Sequence, residues 1–88
     1  MKKHILYSFR RCPYAIRARW AIKKCGIDLE LREINLKNKP SEFTKNSKNK
    51  TVPLLILQDG QVIEESLEII LWSIKNSKEN SDIKFLNN

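Results

Sequence analysis

Only two cysteines occur among the 88 residues, Cys12 and Cys25. That is too few for a secreted disulfide scaffold, and a cytoplasmic, reducing setting is expected. No apolar run approaches the ~20 residues that a membrane span needs. After Met1-Lys2-Lys3-His4 no long apolar region ends in a small-residue cleavage site, so no secretory leader is expected. Residues 1 to 27 hold no acid at all. No RNP-type aromatic motif and no zinc-finger spacing accompany the basic residues, which argues against nucleic acid as the partner. Two distant cysteines and His4 do not make a metal site, so no metal is expected. There are no internal repeats.

What is present suits one small domain. Hydrophobic residues make up 41% and charged residues 31%, a mix that argues against wholesale disorder. A chain of this length forms one domain and buries only roughly 60% of its unfolded surface. Seventeen basic residues against ten acidic ones leave a net charge of +7. The charge is segregated. The basic residues Lys2 to Lys24 precede any acid, five lysines follow between positions 37 and 50, and Asp59, Glu64, Glu65 and Glu68 reverse the sign. Such a basic half is by default a solvated surface. It also suits an anionic ligand.

His4 to Phe9 reads as a buried strand, short, apolar and partly aromatic. Arg10-Arg11-Cys12 follows as a loop. Pro13 fits the first position of a helix, where its missing N–H is not needed. Ile16 and Trp20, Ala18 and Ile22, and then Cys25 form a helical stripe, and Gly26 ends it as a C-terminal cap. Leu29 and Leu31 alternate with Glu30 and Arg32 in a strand running to about Leu36. Ser41 is expected to cap a short helix around Glu42 to Lys45. Val52 to Leu57 is the next strand. Asp59-Gly60 marks a two-residue hairpin that returns through Gln61-Val62-Ile63. Ser66 is expected as a helix N-cap. Leu67, Ile70, Leu71 and Ile74 make the most regular apolar stripe in the chain. Residues 1–76 are the expected domain, and residues 77–88 a polar tail. The order β-α-β-α-β-β-α predicts an α/β fold: a mixed four-stranded sheet with helices on both faces.

Chemistry concentrates at Cys12. It stands just before a helix whose first N–H groups lack partners and carry partial positive charge. Arg10 and Arg11 precede it and Arg17 follows one turn in. All favour a thiolate, the nucleophilic form of the side chain. Cys25 is thirteen residues further along. A continuous helix separates the two by about 20 Å, against the ~7 Å limit of a disulfide. Cys25 on the apolar stripe is expected to pack in the core. Ala15 holds the place a Cys-x-x-Cys motif would need, so a two-cysteine mechanism within the motif is closed.

Cys12-Pro13-Tyr14-Ala15 after a strand, Thr51-Val52-Pro53 before a strand and Glu65-Ser66 opening a helix form a constellation. It resembles the thioredoxin-like N-terminal domain of glutathione transferases, the omega class above all, and more distantly the glutaredoxins. The stretch Ile34 to Pro40 also looks like omega-class sequence. The resemblance covers Tyr7 to about Trp72 and implies a thioredoxin-like, glutaredoxin-type fold with glutathione as co-substrate. A proline in the place of Pro53 could simply begin an edge strand. The resemblance implies instead a cis-proline facing Cys12, with the Val52 backbone pairing with glutathione as an added strand would. It implies that Ser66 binds the γ-glutamyl carboxylate at a helix N-terminus and that Glu65 holds the ammonium. Ser66 can serve as a plain cap at the same time. Tyr14 would shape the thiol pocket. The glycyl carboxylate needs a cation, for which Lys50 and Lys48 are the candidates.

A cysteine at this position implies glutathione-dependent thiol transfer on glutathionylated or disulfide substrates, or dehydroascorbate reduction, with Cys12 as the single nucleophile. Two alternatives differ in kind. The chain could be the glutathione-binding domain of a conjugating transferase that lacks its helical C-terminal domain. It could be a non-catalytic interaction module. Its tail could be the start of an interdomain linker.

Overall fold

The structure, a computed structural model, describes residues 3–35, 37–48 and 51–77. Expectations placed on Leu36, Lys50 and residues 78–88 lie outside the described residues. The elements are β1 (His4–Ser8), α1 (Pro13–Lys24), β2 (Leu29–Glu33), α2 (Ser41–Asn46), β3 (Leu54–Ile56), β4 (Val62–Glu64) and α3 (Ser66–Lys75). They follow the expected order. The sheet runs β2-β1-β3-β4, with β1 and β2 parallel and the other two pairs antiparallel.

Strand alternation divides the core in two, because successive side chains point to opposite faces. Leu6 and Leu55 pack with Ala18, Ile22 and Ile69 on the face covered by α1 and α3. Ile5, Tyr7 and Leu54 pack with Ile34 and Phe43 on the α2 face. Burying a leucine or isoleucine fully contributes about 1.5–3 kcal/mol. These two clusters supply the main force that holds the sheet between its helices.

α1 begins as its sequence dictates, with Cys12 extended (φ −76°, ψ 120°) as N-cap and Pro13 next. Gly26 ends it at φ +70°. Both helix caps expected of serines are corrected. Pro40, not Ser41, is the N-cap of α2, and Glu65, not Ser66, is the N-cap of α3. Neither serine makes a capping hydrogen bond. Pro40 is still extended (φ −60°, ψ 146°) and Glu65 stands at φ +68°, ψ 133°, so the non-helical N-cap place falls on them and each serine takes the first helical place.

The turn between β3 and β4 is longer than two residues. The Gly60 N–H donates to the Leu57 carbonyl at 2.9 Å and the Leu57 N–H to the Gln61 carbonyl at 2.8 Å. The loop is therefore Gln58-Asp59-Gly60, a turn closed by a residue at positive φ, here Gly60 at +93°. β2 and β3 are shorter than the apolar runs suggested, ending at Glu33 and beginning at Leu54.

The helix faces differ most from expectation. On α1 the buried residues are Ala15, Ala18, Ala21 and Ile22, while Ile16 and Trp20 are 45% and 42% exposed. On α3 they are Ser66, Ile69 and Ser73, while Leu67 and Leu71 are 55% and 52% exposed. The two helices lie against each other, and small residues on their inner faces allow that approach. Ser73 Oγ satisfies itself on the Ile69 carbonyl at 2.8 Å, so it is buried without an unpaired donor.

Candidate functional site

Three segments distant in sequence meet because of strand direction. β1 and β4 run the same way and β3 runs against both. The loop after β1, the segment before β3 and the turn after β4 therefore emerge at one edge of the sheet. They carry Cys12, Val52-Pro53 and Glu65-Ser66. α1 and α3 both start at that edge, so their N-termini point the same way.

Cys12 is half-buried and is not disulfide-bonded. Its N–H donates to the Phe9 carbonyl at 3.0 Å, and its carbonyl accepts from Ile16 at 2.9 Å. Cys12, Tyr14 and Val52 line a cavity of about 280 Å³ whose apolar wall is Phe9, Ile34 and Phe43. Lys39 is the cation at this cavity. A second cavity of about 460 Å³ shares Tyr14, Thr51 and Val52 with it and adds Pro53, Glu65 and Ser66. The Val52–Pro53 peptide bond is cis. Arg17 also lines the second cavity, its guanidinium 6.0 Å from the centre of the Tyr14 ring, within cation–π range.

Ser66 is 6% exposed. Because it does not cap its helix, its hydroxyl is left for the cavity. Glu65 holds a positive φ of +68°, a conformation that costs on the order of 1–3 kcal/mol in a residue with a side chain. The Glu65 carbonyl nonetheless accepts the Ile69 N–H at 3.1 Å and starts the helix.

α2 is fixed as the outer wall. The buried Tyr7 hydroxyl donates to Glu42 Oε1 at 2.6 Å, and Arg32 Nη1 donates to both Tyr7 Oη and Glu42 Oε1, at 3.1 and 3.2 Å. The Tyr7 and Phe43 rings meet edge to face at 5.7 Å. At the other end of α2, Ser47 Oγ and the Lys48 N–H both donate to Glu64 Oε1, at 2.7 and 2.9 Å. Phe43 and the approach to Lys39 are thereby held beside Cys12.

Cys12, Tyr14, Val52, Pro53, Glu65 and Ser66 thus line two cavities that share Tyr14, Thr51 and Val52. Arg10 and Arg11 are exposed and line neither. Lys48 is exposed and also stands outside both. Lys50 lies outside the described residues. Sequence reasoning missed Lys39 and the apolar wall, and it named Thr51 in the Thr51-Val52-Pro53 motif without giving it a site role. Lys39 sits in the Ile34–Pro40 stretch whose family likeness was noted, but no site residue was taken from it. Cys25 is fully buried at the far end of α1, and burial pushes its thiol pKa up. Another cavity, about 520 Å³, lies around His4 and Trp72 at the opposite end of β1 and contains neither cysteine. Among the described residues no cluster could hold a metal ion, and no helix is long and apolar enough to cross a membrane.

Comparison with known proteins agrees with this arrangement. Residues 6–81 match the family model described as glutathione S-transferase, N-terminal domain. The chain is 42% identical over 62 residues to glutathione S-transferase omega-1 of Rattus norvegicus, covering 70% of this chain and 26% of that protein. It is 36% identical over 78 residues to glutathione S-transferase U22 of Arabidopsis thaliana, covering 82% and 35%. The solved structure of rice GST1 in complex with glutathione superposes with a TM-score of 0.75 at 27% identity, covering 88% of this chain and 35% of that one. The chain thus spans about a quarter to a third of the length of these relatives. With a thioredoxin-like sheet, a cysteine at the start of α1 and a match over most of its length, the chain belongs to the glutathione S-transferase N-terminal domain family.

Proposed function

We propose that the chain binds glutathione across the two cavities and uses Cys12 for glutathione-dependent thiol transfer. One observation carries the proposal: a half-buried cysteine at a helix start shares its cavity with Val52, while Ser66 and Glu65 line the adjoining one. Glutathione then lies with its cysteinyl part along Val52, which the cis Pro53 follows. The γ-glutamyl carboxylate meets Ser66 and the free N–H groups of α3, and its ammonium meets Glu65. Lys39 serves the glycyl carboxylate at the Cys12 end. Tyr14 bridges both cavities.

The chemistry follows from the thiol. Cys12 as thiolate attacks the glutathionyl sulfur of a mixed disulfide and the substrate thiolate leaves. Cys12 is now disulfide-bonded to glutathione. A second glutathione thiolate attacks that glutathionyl sulfur, releases oxidised glutathione and restores the Cys12 thiolate. Dehydroascorbate reduction is compatible with the same thiol, and a cytoplasmic setting supplies the reduced glutathione.

A second proposal has its own support. Ile16, Trp20, Leu67 and Leu71 leave apolar surface exposed on α1 and α3, and the stretch that matches is only 35% and 26% of the two relatives. The chain would then be the glutathione-binding part of a transferase whose helical domain covers that surface. Trp72, half-buried and edge-on to His4 at 5.2 Å, belongs to the core and not to this surface.

Intact mass after mixing with oxidised glutathione tests the leading proposal. One glutathione adduct is expected, absent in Cys12→Ser, present in Cys25→Ser and reversed by reduced glutathione. No adduct near neutral pH would sink it. An adduct that forms but is not turned over with a disulfide substrate favours the second proposal.

A further inference from the structure

Arg19 lies two turns into α1 and lines neither cavity. Its guanidinium reaches back to the loop that carries Cys12. Nη1 donates to Ser8 Oγ and to the Phe9 carbonyl at 3.4 Å, and Nη2 donates to the Arg10 carbonyl at 3.2 Å. The acceptors belong to three successive residues, and Ser8 is fully buried. A planar guanidinium offers five donors at fixed angles and can bridge such a set, whereas a lysine ammonium is a point charge on a flexible stem.

The Phe9 carbonyl does double duty. It accepts from Arg19 and also from the Cys12 N–H, at 3.0 Å. The contact that ties the loop to α1 and the contact that closes the loop onto the cysteine converge on one oxygen. From the other side, the Arg10 N–H donates to Glu33 Oε2 at 2.9 Å. Arg10 and Arg11 themselves project into solvent, so their side chains do not anchor the loop by packing.

We propose that Arg19 is a positioning residue for Cys12. Its fork fixes the backbone from Ser8 to Arg10 and, through the Phe9 carbonyl, sets where the thiol stands against Val52 and Pro53. This rests on the thiol-transfer proposal for Cys12. The geometry of the fork matters here, not the positive charge, so Arg19→Lys is the informative variant.

Two reactions of Cys12 are to be compared in the full chain. Alkylation by iodoacetamide needs only an accessible thiolate. Exchange with oxidised glutathione needs the thiol aligned with a disulfide bound in the cavities. A misplacement of about 1 Å can slow an aligned reaction on the order of 100-fold. In Arg19→Lys, exchange is expected to fall about tenfold or more while alkylation changes less than about threefold. The Cys12 amide is expected to lose protection against hydrogen exchange. Unchanged exchange with glutathione, or equal losses in both reactions, overturns the inference. If the native chain does not exchange with oxidised glutathione at all, the thiol-transfer proposal fails, and amide protection alone decides on Arg19. Protection retained in Arg19→Lys then overturns its role. Should that variant not fold, Ser8→Ala removes one of the three acceptors. A smaller but measurable fall in exchange supports the inference, and no fall overturns it.

Discussion

Glu65 is the one non-glycine residue at positive φ among the described residues. Its strain sits at the mouth of a cavity, where a rigid fold can impose it. The conformation directs Ser66 into the cavity and lets α3 begin at once. Replacing Glu65 by glycine would relieve strain of about 1–3 kcal/mol at the expense of about 0.4–1 kcal/mol of unfolded-state entropy. Glu65→Gly is therefore expected to raise stability by about 1 kcal/mol, or about 4–8 °C in Tm for a domain this small. It should weaken glutathione binding at the same time. Thermal unfolding with and without glutathione measures both, and a lower Tm would contradict the account. At this scale much was legible. Cys12, Pro13 and Gly26 announce themselves through local rules of capping and chain direction. The strain at Glu65 was not legible, because nothing in a glutamate signals positive φ.

The helices α1 and α3 show why an apolar stripe does not always mark the core. Leu67 and Leu71 have the right spacing, yet Ile69 and two serines face inward. Close helix-on-helix contact selects for small side chains, so volume and not hydrophobicity decides which face is buried. Ile69→Ala is expected to destabilise by about 2–5 kcal/mol, as core truncations do. Leu71→Ala should change stability by no more than about 0.5 kcal/mol, as surface changes do. Urea unfolding of the two variants distinguishes the faces, and comparable losses would mean that the burial pattern is wrong. Element existence and order were readable from periodicity and turn residues. Element phase was not, because it depends on the partner helix.

For the molecule as a whole, the buried Tyr7 hydroxyl and Cys25 thiol are expected to lower stability at alkaline pH. Burial, with the hydrogen bond to Glu42, pushes the Tyr7 pKa up, and burial does the same for Cys25. A group with a raised folded pKa stabilises fully below its unfolded pKa and loses that contribution as pH rises through the folded one. The unfolded values are about 8.5 for cysteine and about 10 for tyrosine. Stability should be flat with respect to these groups below about pH 8 and fall above about pH 9. Denaturation from pH 7 to 11 is the check. Tyr7→Phe should flatten the fall above about pH 10 and Cys25→Ala the part that begins near pH 9. A fall unaltered in both variants would place its origin elsewhere.

The sequence by itself determined what local physics governs: the order of strands and helices, the helix start at Cys12-Pro13, its stop at Gly26, the turn at Asp59-Gly60 and the candidate thiol. The tertiary structure decided three things that depend on distant contacts. It set the buried faces of α1 and α3, because each packs against the other. It placed Lys39 beside Cys12 and left Lys48 outside, because the Tyr7–Glu42–Arg32 network fixes α2 against the sheet. It brought Cys12, Pro53 and Ser66 to one edge, because β3 runs against β1 and β4. Strand direction and helix contact join residues far apart in the chain, and no local pattern encodes such pairings.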